Sequence, residues 1–63
     1  MSMYVINIFY RDKKTPPETL VDITNNDVRG GIFTTVNKEG LVTGIPLDIV
    51  ERFEIVEEDS VEV

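Results

Sequence analysis

Hydrophobic and polar residues divide this chain into five short runs with the character of β-strands. Met3 to Tyr10 is the strongest, because it is β-branched and aromatic and contains neither Gly nor Pro. A period of two places Tyr4, Ile6, Ile8 and Tyr10 on one face, and Val5, Asn7 and Phe9 on the other. A half-exposed strand alternates apolar and polar residues, whereas this one is apolar on both faces. It reads as a strand covered on both sides, with the second cover supplied by another subunit, or as a central strand with one partly exposed aromatic face.

Arg11 to Pro17 follows as a polar loop, since Pro16-Pro17 removes two donors that a central strand needs. Two readings stay open for the next stretch. Thr15-Pro16-Pro17-Glu18 suits a helix start, and a helix over 16–28 would end at Gly30. The β-branched content of Val21, Ile23, Thr24 and Val28 favours a strand over Thr19 to Thr24 instead. Asn25-Asn26-Asp27 then predicts a turn. Val28 to Val36 reads as a strand interrupted by a bulge or bend at Gly30-Gly31. Asn37-Lys38-Glu39-Gly40 suits a hairpin loop closed by Gly in the left-handed region, with Leu41 to Ile45 as the returning strand. Pro46 breaks the ladder, so one short helical turn is expected near 46–50. Arg52 to Val56 alternates again as a last strand, and Glu57 to Val63 reads as a frayed acidic tail. The expected organisation is one β domain over residues 1–56 and a tail over 57–63. The expected fold is mainly β: a small five-stranded antiparallel barrel or a strongly bent sheet.

Thr19 to Glu57 resembles an SH3-like barrel of the Sm-like type. The resemblance rests on Gly30-Gly31, the loop Asn37-Lys38-Glu39-Gly40, and Ile45-Pro46-Leu47. It implies a bent, Gly-containing strand, a tight hairpin and a short turn feeding the last strand. Sm-like domains open with a helix and form RNA-binding rings, whereas a strand occupies that place here. Asn37 alone falls where the family places a base-contacting residue, and Gly40 and Leu41 depart from the rest of the motif. An RNA-binding barrel therefore ranks third among the functional expectations.

Composition narrows the function. Sixty-three residues form one domain at most, and a chain this short buries only roughly 60% of its unfolded surface. It has no Cys for disulfides and no His, so the usual staples of small domains are missing. A homo-oligomer is the expected remedy. No apolar run approaches the roughly 20 residues of a membrane span, and the N-terminus lacks a basic signal-peptide region. A cytoplasmic location away from membranes is expected.

The net charge of −6 is unevenly spread. Residues 1–47 hold five acids and five bases, while 48–63 hold Asp48, Glu51, Glu54, Glu57, Glu58, Asp59 and Glu62 against Arg52 alone. Such a surface repels phosphate backbones and attracts basic proteins. No activated nucleophile is evident without Cys or His, and the Glu residues read as a solvated face, so no catalytic, metal or cofactor site is expected. Asp22 to Asp27 lacks calcium-loop spacing, and Arg29-Gly30-Gly31 is a single copy of an element that RNA-binding tails repeat. Arg11, Lys13 and Lys14 form a small basic spot in a solvated loop.

The leading expectation is a non-catalytic protein–protein interaction or regulatory module. Its candidate surface is Tyr4, Ile6, Ile8 and Tyr10 with Glu51, Glu54, Glu57 and Glu58. The alternative is an acidic inhibitor that imitates nucleic acid through a spaced row of carboxylates. Small acidic chains of either kind fit a phage or mobile-element origin.

Overall fold

In the computed structural model, which describes residues 2–59, the predicted strand regions are extended except where Val28 to Val36 turns at Gly30-Gly31, and no α-helix forms among those residues. The strands are β1 (Ser2–Tyr10), β2 (Glu18–Arg29), β3 (Ile32–Asn37), β4 (Val42–Pro46) and β5 (Val50–Asp59). A single 3-10 turn, Leu47–Ile49, follows Pro46 and occupies the place expected for a helical turn. All five strands form one antiparallel sheet in the order β4-β3-β2-β1-β5. Its ends, β4 and β5, are not hydrogen-bonded to each other, so the sheet is bent but not closed. Among the described residues no helix is long and apolar enough to cross a membrane.

The bend lies in β2. Its first half pairs with β1 and its second half with β3; only Ile23 belongs to both ladders, opposite Tyr4 and Asn37. Bulges flank that residue. Val21 and Asp22 together oppose Val5, and Thr24 is extra against β3. An extra residue on one strand locally raises twist and bends the sheet. Asp22 holds a left-handed φ of 57°, uncommon for a residue with a side chain. Its carbonyl accepts the Lys38 amide at 3.0 Å, and its carboxylate lies 3.6 Å from the Lys38 ammonium. The conformation is thus held from the β3–β4 loop.

Bending brings the two halves of the sheet face to face. Ile6, Ile8, Ile23, Phe33, Ile45 and Val50 are buried between them, with Tyr4, Tyr10, Leu20, Leu47 and Phe53 packed around. Fully burying each aliphatic or aromatic side chain contributes roughly 1.5–3 kcal/mol, so six such residues make a thin core. The 3-10 turn is tied back by Leu47 N–H donating to the Gly31 carbonyl and Arg11 N–H to the Ile49 carbonyl, both at 2.9 Å.

Several expectations need correction. Asn25-Asn26-Asp27 is not a turn: these residues lie inside β2, opposite Val36, Thr35 and Thr34. The turn falls instead at Gly30-Gly31, which the sequence reading placed inside a strand. Arg29 pairs with Ile32 around them, and both glycines have positive φ, 61° and 77°. A two-residue hairpin of this kind needs positive φ at both central positions, which glycine supplies without strain. The helical alternative over 16–28 is replaced by β2. Glu57 to Asp59 belong to β5 rather than to a tail, because β1 extends to Ser2 and gives them partners. Residues 60–63 of that expected tail lie outside the described residues. The loop at Asn37 matches expectation. Gly40 N–H donates to the Asn37 carbonyl at 2.9 Å, and Gly40 has φ of 85°.

Candidate interaction surface

Two regions far apart in the chain become neighbours. β5 pairs with β1 along its whole length, so the acids of β5 lie beside the apolar first strand. Met3 opposes Glu58, Tyr4 opposes Glu57, Asn7 opposes Glu54, and Phe9 opposes Arg52. This neighbourhood exists because β1 sits between β2 and β5, a place that only a central strand occupies.

The apolar half of the candidate surface divides. Ile6 and Ile8 are 0% exposed and belong to the core, which corrects their assignment to a surface. Of the two apolar faces of β1, the one carrying Tyr4, Ile6, Ile8 and Tyr10 is the face the sheet folds over. Tyr4 and Tyr10 are half-buried at its two ends. The Tyr10 hydroxyl donates to Glu18 Oε1 at 2.6 Å. That hydrogen bond, with burial and the nearby carboxylate charge, pushes the Tyr10 phenol up to about 12.

The acids divide by face as well. Glu54, Val56 and Glu58 alternate with Phe53, Ile55 and Glu57, because successive strand residues point to opposite sides. Glu54 and Glu58 share the outer face with Val5, Asn7 and Phe9. Ile55 and Glu57 share the core-facing side with Ile6 and Tyr4. Glu51 is the extra residue of a bulge, since Phe9 opposes Arg52 while Tyr10 opposes Val50. The carboxylates therefore do not form a single row along one face.

Local ion pairs neutralise part of the charge. Lys13 Nζ lies 3.5 Å from Glu51, and Arg52 lies 3.4 Å from Glu54. Arg52 also stacks its guanidinium 3.9 Å over the Phe9 ring. These pairs are solvent-exposed and worth at most about 1 kcal/mol each. Glu57 and Glu58 have no ion-pair partner among the described residues.

The other motifs resolve into architecture. Asn37 Oδ1 accepts the Glu39 and Leu41 amides, both at 2.9 Å, and is committed to its own loop. Asp12 Oδ1 accepts the Lys14 amide at 3.0 Å, and its Oδ2 accepts the Thr15 hydroxyl at 3.3 Å, ordering the basic loop. An open groove of about 540 Å³ beside that loop is lined by Tyr10, Arg11, Asp12, Thr15, Asp48 and Ile49. Within it, Arg11 donates its Nε N–H to the Val50 carbonyl at 3.2 Å.

Sequence reasoning missed Ile55 and Val56. They are 48% and 53% exposed in the middle of β5. Val56 points to the outer face, away from the core, whereas Ile55 stands on the core-facing side opposite Ile6 and is still half-exposed. No family model, curated protein or solved structure matches the chain.

Proposed function

We propose that this chain is a small, non-catalytic interaction module, built on an SH3-like open barrel, that engages a basic protein surface through β5. The observation that carries the reading is the composition and place of that strand. It holds Glu51, Glu54, Glu57, Glu58 and Asp59 against Arg52 alone, at the border of the sheet. Opposite charge on a partner would steer encounter and fix orientation. The strand order and the bend at Ile23 support the SH3-like description. The division of the acids between two faces favours a protein partner over imitation of a phosphate backbone, which would call for one regular row.

The test is binding to a lysine oligomer, with the parent chain compared with a Glu54→Gln, Glu57→Gln, Glu58→Gln variant. The parent binds, the variant binds far less, and rising salt weakens the parent's binding. Equal binding by both, or binding indifferent to salt, overturns the reading.

A second copy of the chain is also proposed as a partner, away from the acids. Val28, Ile32, Leu41 and Val42 are each more than two-fifths exposed on β2, β3, β4 and the loop before β4, where no acid of β5 lies. Sedimentation that gives the mass of a single chain across the micromolar range overturns this part.

A further inference from the structure

Sheets usually blunt their edges, and the two edges here are treated differently. β4 is five residues long, contains Gly44 and ends at Pro46, which has no N–H to offer. β5 runs for ten residues with neither Gly nor Pro. β1 takes one side of β5 from Asp59 to Val50. Beyond Val50, whose carbonyl accepts Arg11 Nε, no hydrogen bond among the described residues reaches its other side. In an antiparallel edge strand every second N–H and C=O points outward, so β5 presents a ladder ready for another strand.

Charge decides which strand fits. Pairing with β5 of a second copy would bring together two strands that each carry an excess of carboxylates over their single Arg52, and like charges brought together across strands are destabilising. The edge disfavours its own copy and favours a strand rich in Lys or Arg, which is specificity by repulsion as well as attraction. The two faces add a pattern. The outer face near the middle of β5 is acidic, with Glu54 and Glu58. The core-facing side carries Phe53 and Ile55, followed by Glu57, and Ile55 is half-exposed.

We propose that the free edge of β5 accepts an extended basic segment of another protein as a sixth strand, with Lys or Arg on the outer face alternating with apolar residues beside Phe53 and Ile55. Backbone hydrogen bonds supply affinity in this mode, and alternate side chains supply selectivity. The inference rests on the reading of the chain as an acidic interaction module and adds the geometry of the contact.

The test uses the unmodified protein and four peptides as long as β5. One alternates Lys and Val. Two are the same peptide with N-methylated backbones, one at every Lys and one at every Val. The fourth alternates Glu and Val. Only one set of peptide amides faces β5, so one methylated peptide loses binding by about tenfold or more and the other does not. Outward amides between Arg52 and Glu58 gain protection from exchange, and the Glu–Val peptide does not bind. If both methylated peptides bind as well as the parent peptide, strand addition is wrong while the acidic module stands. Protection appearing on β4, or binding of the Glu–Val peptide, also overturns the inference. If no Lys peptide and no lysine oligomer binds, both readings fall.

Discussion

The rings of Phe33 and Phe53 meet with centroids 4.3 Å apart and planes inclined at 38°. They stand on β3 and β5, which β2 and β1 separate in the sheet. Side chains that far apart in a flat sheet do not touch, since neighbouring strands lie about 4.8 Å apart. The contact records how far the bend in β2 folds one half of the sheet onto the other.

Truncating either ring tests that closure. Phe33 is 2% exposed, and Phe33→Ala should cost about 3–5 kcal/mol in urea unfolding. Phe53 is half-buried and should cost less. A double-mutant cycle should return a coupling of about 0.5–1.5 kcal/mol beyond the loss of area. Strictly additive losses would show that the rings do not meet.

Gly31 has φ of 77°, and a Cβ built there meets nothing within 4 Å. The cost of a side chain is therefore conformational rather than steric. Gly31→Val should destabilise by roughly 1–3 kcal/mol. A D-alanine at position 31, placed by chemical synthesis, should be tolerated or stabilising because its preferred φ is positive. Thermal melts of the two chains compare them directly, and similar losses from both would refute the turn geometry.

Thr35 is 0% exposed, and its hydroxyl oxygen has no hydrogen-bond partner among the described residues. An unsatisfied buried hydroxyl keeps its desolvation cost. Thr35→Val retains the shape and removes that group, so it should stabilise the fold by about 1 kcal/mol. A lower melting temperature for the Val variant would mean that the hydroxyl is bonded in solution.

The Tyr10 phenol, pushed up to about 12 by Glu18 and burial, makes a prediction at high pH. The folded value lies above the ordinary value of 10.0, so folding favours the protonated phenol. That stabilisation is fully present below about pH 10 and is lost as pH rises toward about 12. Tyrosinate absorbance in a Tyr4→Phe background reports Tyr10 alone. Glu18→Gln should bring its titration back toward the ordinary value. If the Gln variant titrates where the parent does, the hydrogen bond is not the cause.

Much of the architecture was legible in local chemistry. The Asn37 to Gly40 loop was, because an Asn cap and a left-handed Gly need no distant partner. The stop at Pro46 was legible for a similar reason, since a residue without an N–H ends a ladder wherever it stands. Over 25–31 the expectation set the turn at Asn25-Asn26-Asp27 and a bulge at Gly30-Gly31, the wrong way round. Asn25-Asn26-Asp27 tolerates a turn but also pairs in a strand, whereas Gly30-Gly31 supplies two consecutive positive φ values that β-branched neighbours resist. The candidate site was legible in half. The pairing sets the acids of β5 beside the first strand, but Ile6 and Ile8 went to the core while Ile55 and Val56 stayed out.

The sequence by itself determined that the chain is built from β-strands, where its β3–β4 hairpin turns, and that its charge gathers at one end. Those properties follow from period, turn chemistry and composition, which are local. Only the tertiary structure decided which face of β1 is buried, that β5 lies beside β1, and that β5 is left with a free edge. Those depend on the bend at Ile23, where two bulges and a Lys38 contact from another loop act together, and no window of the chain contains all of them.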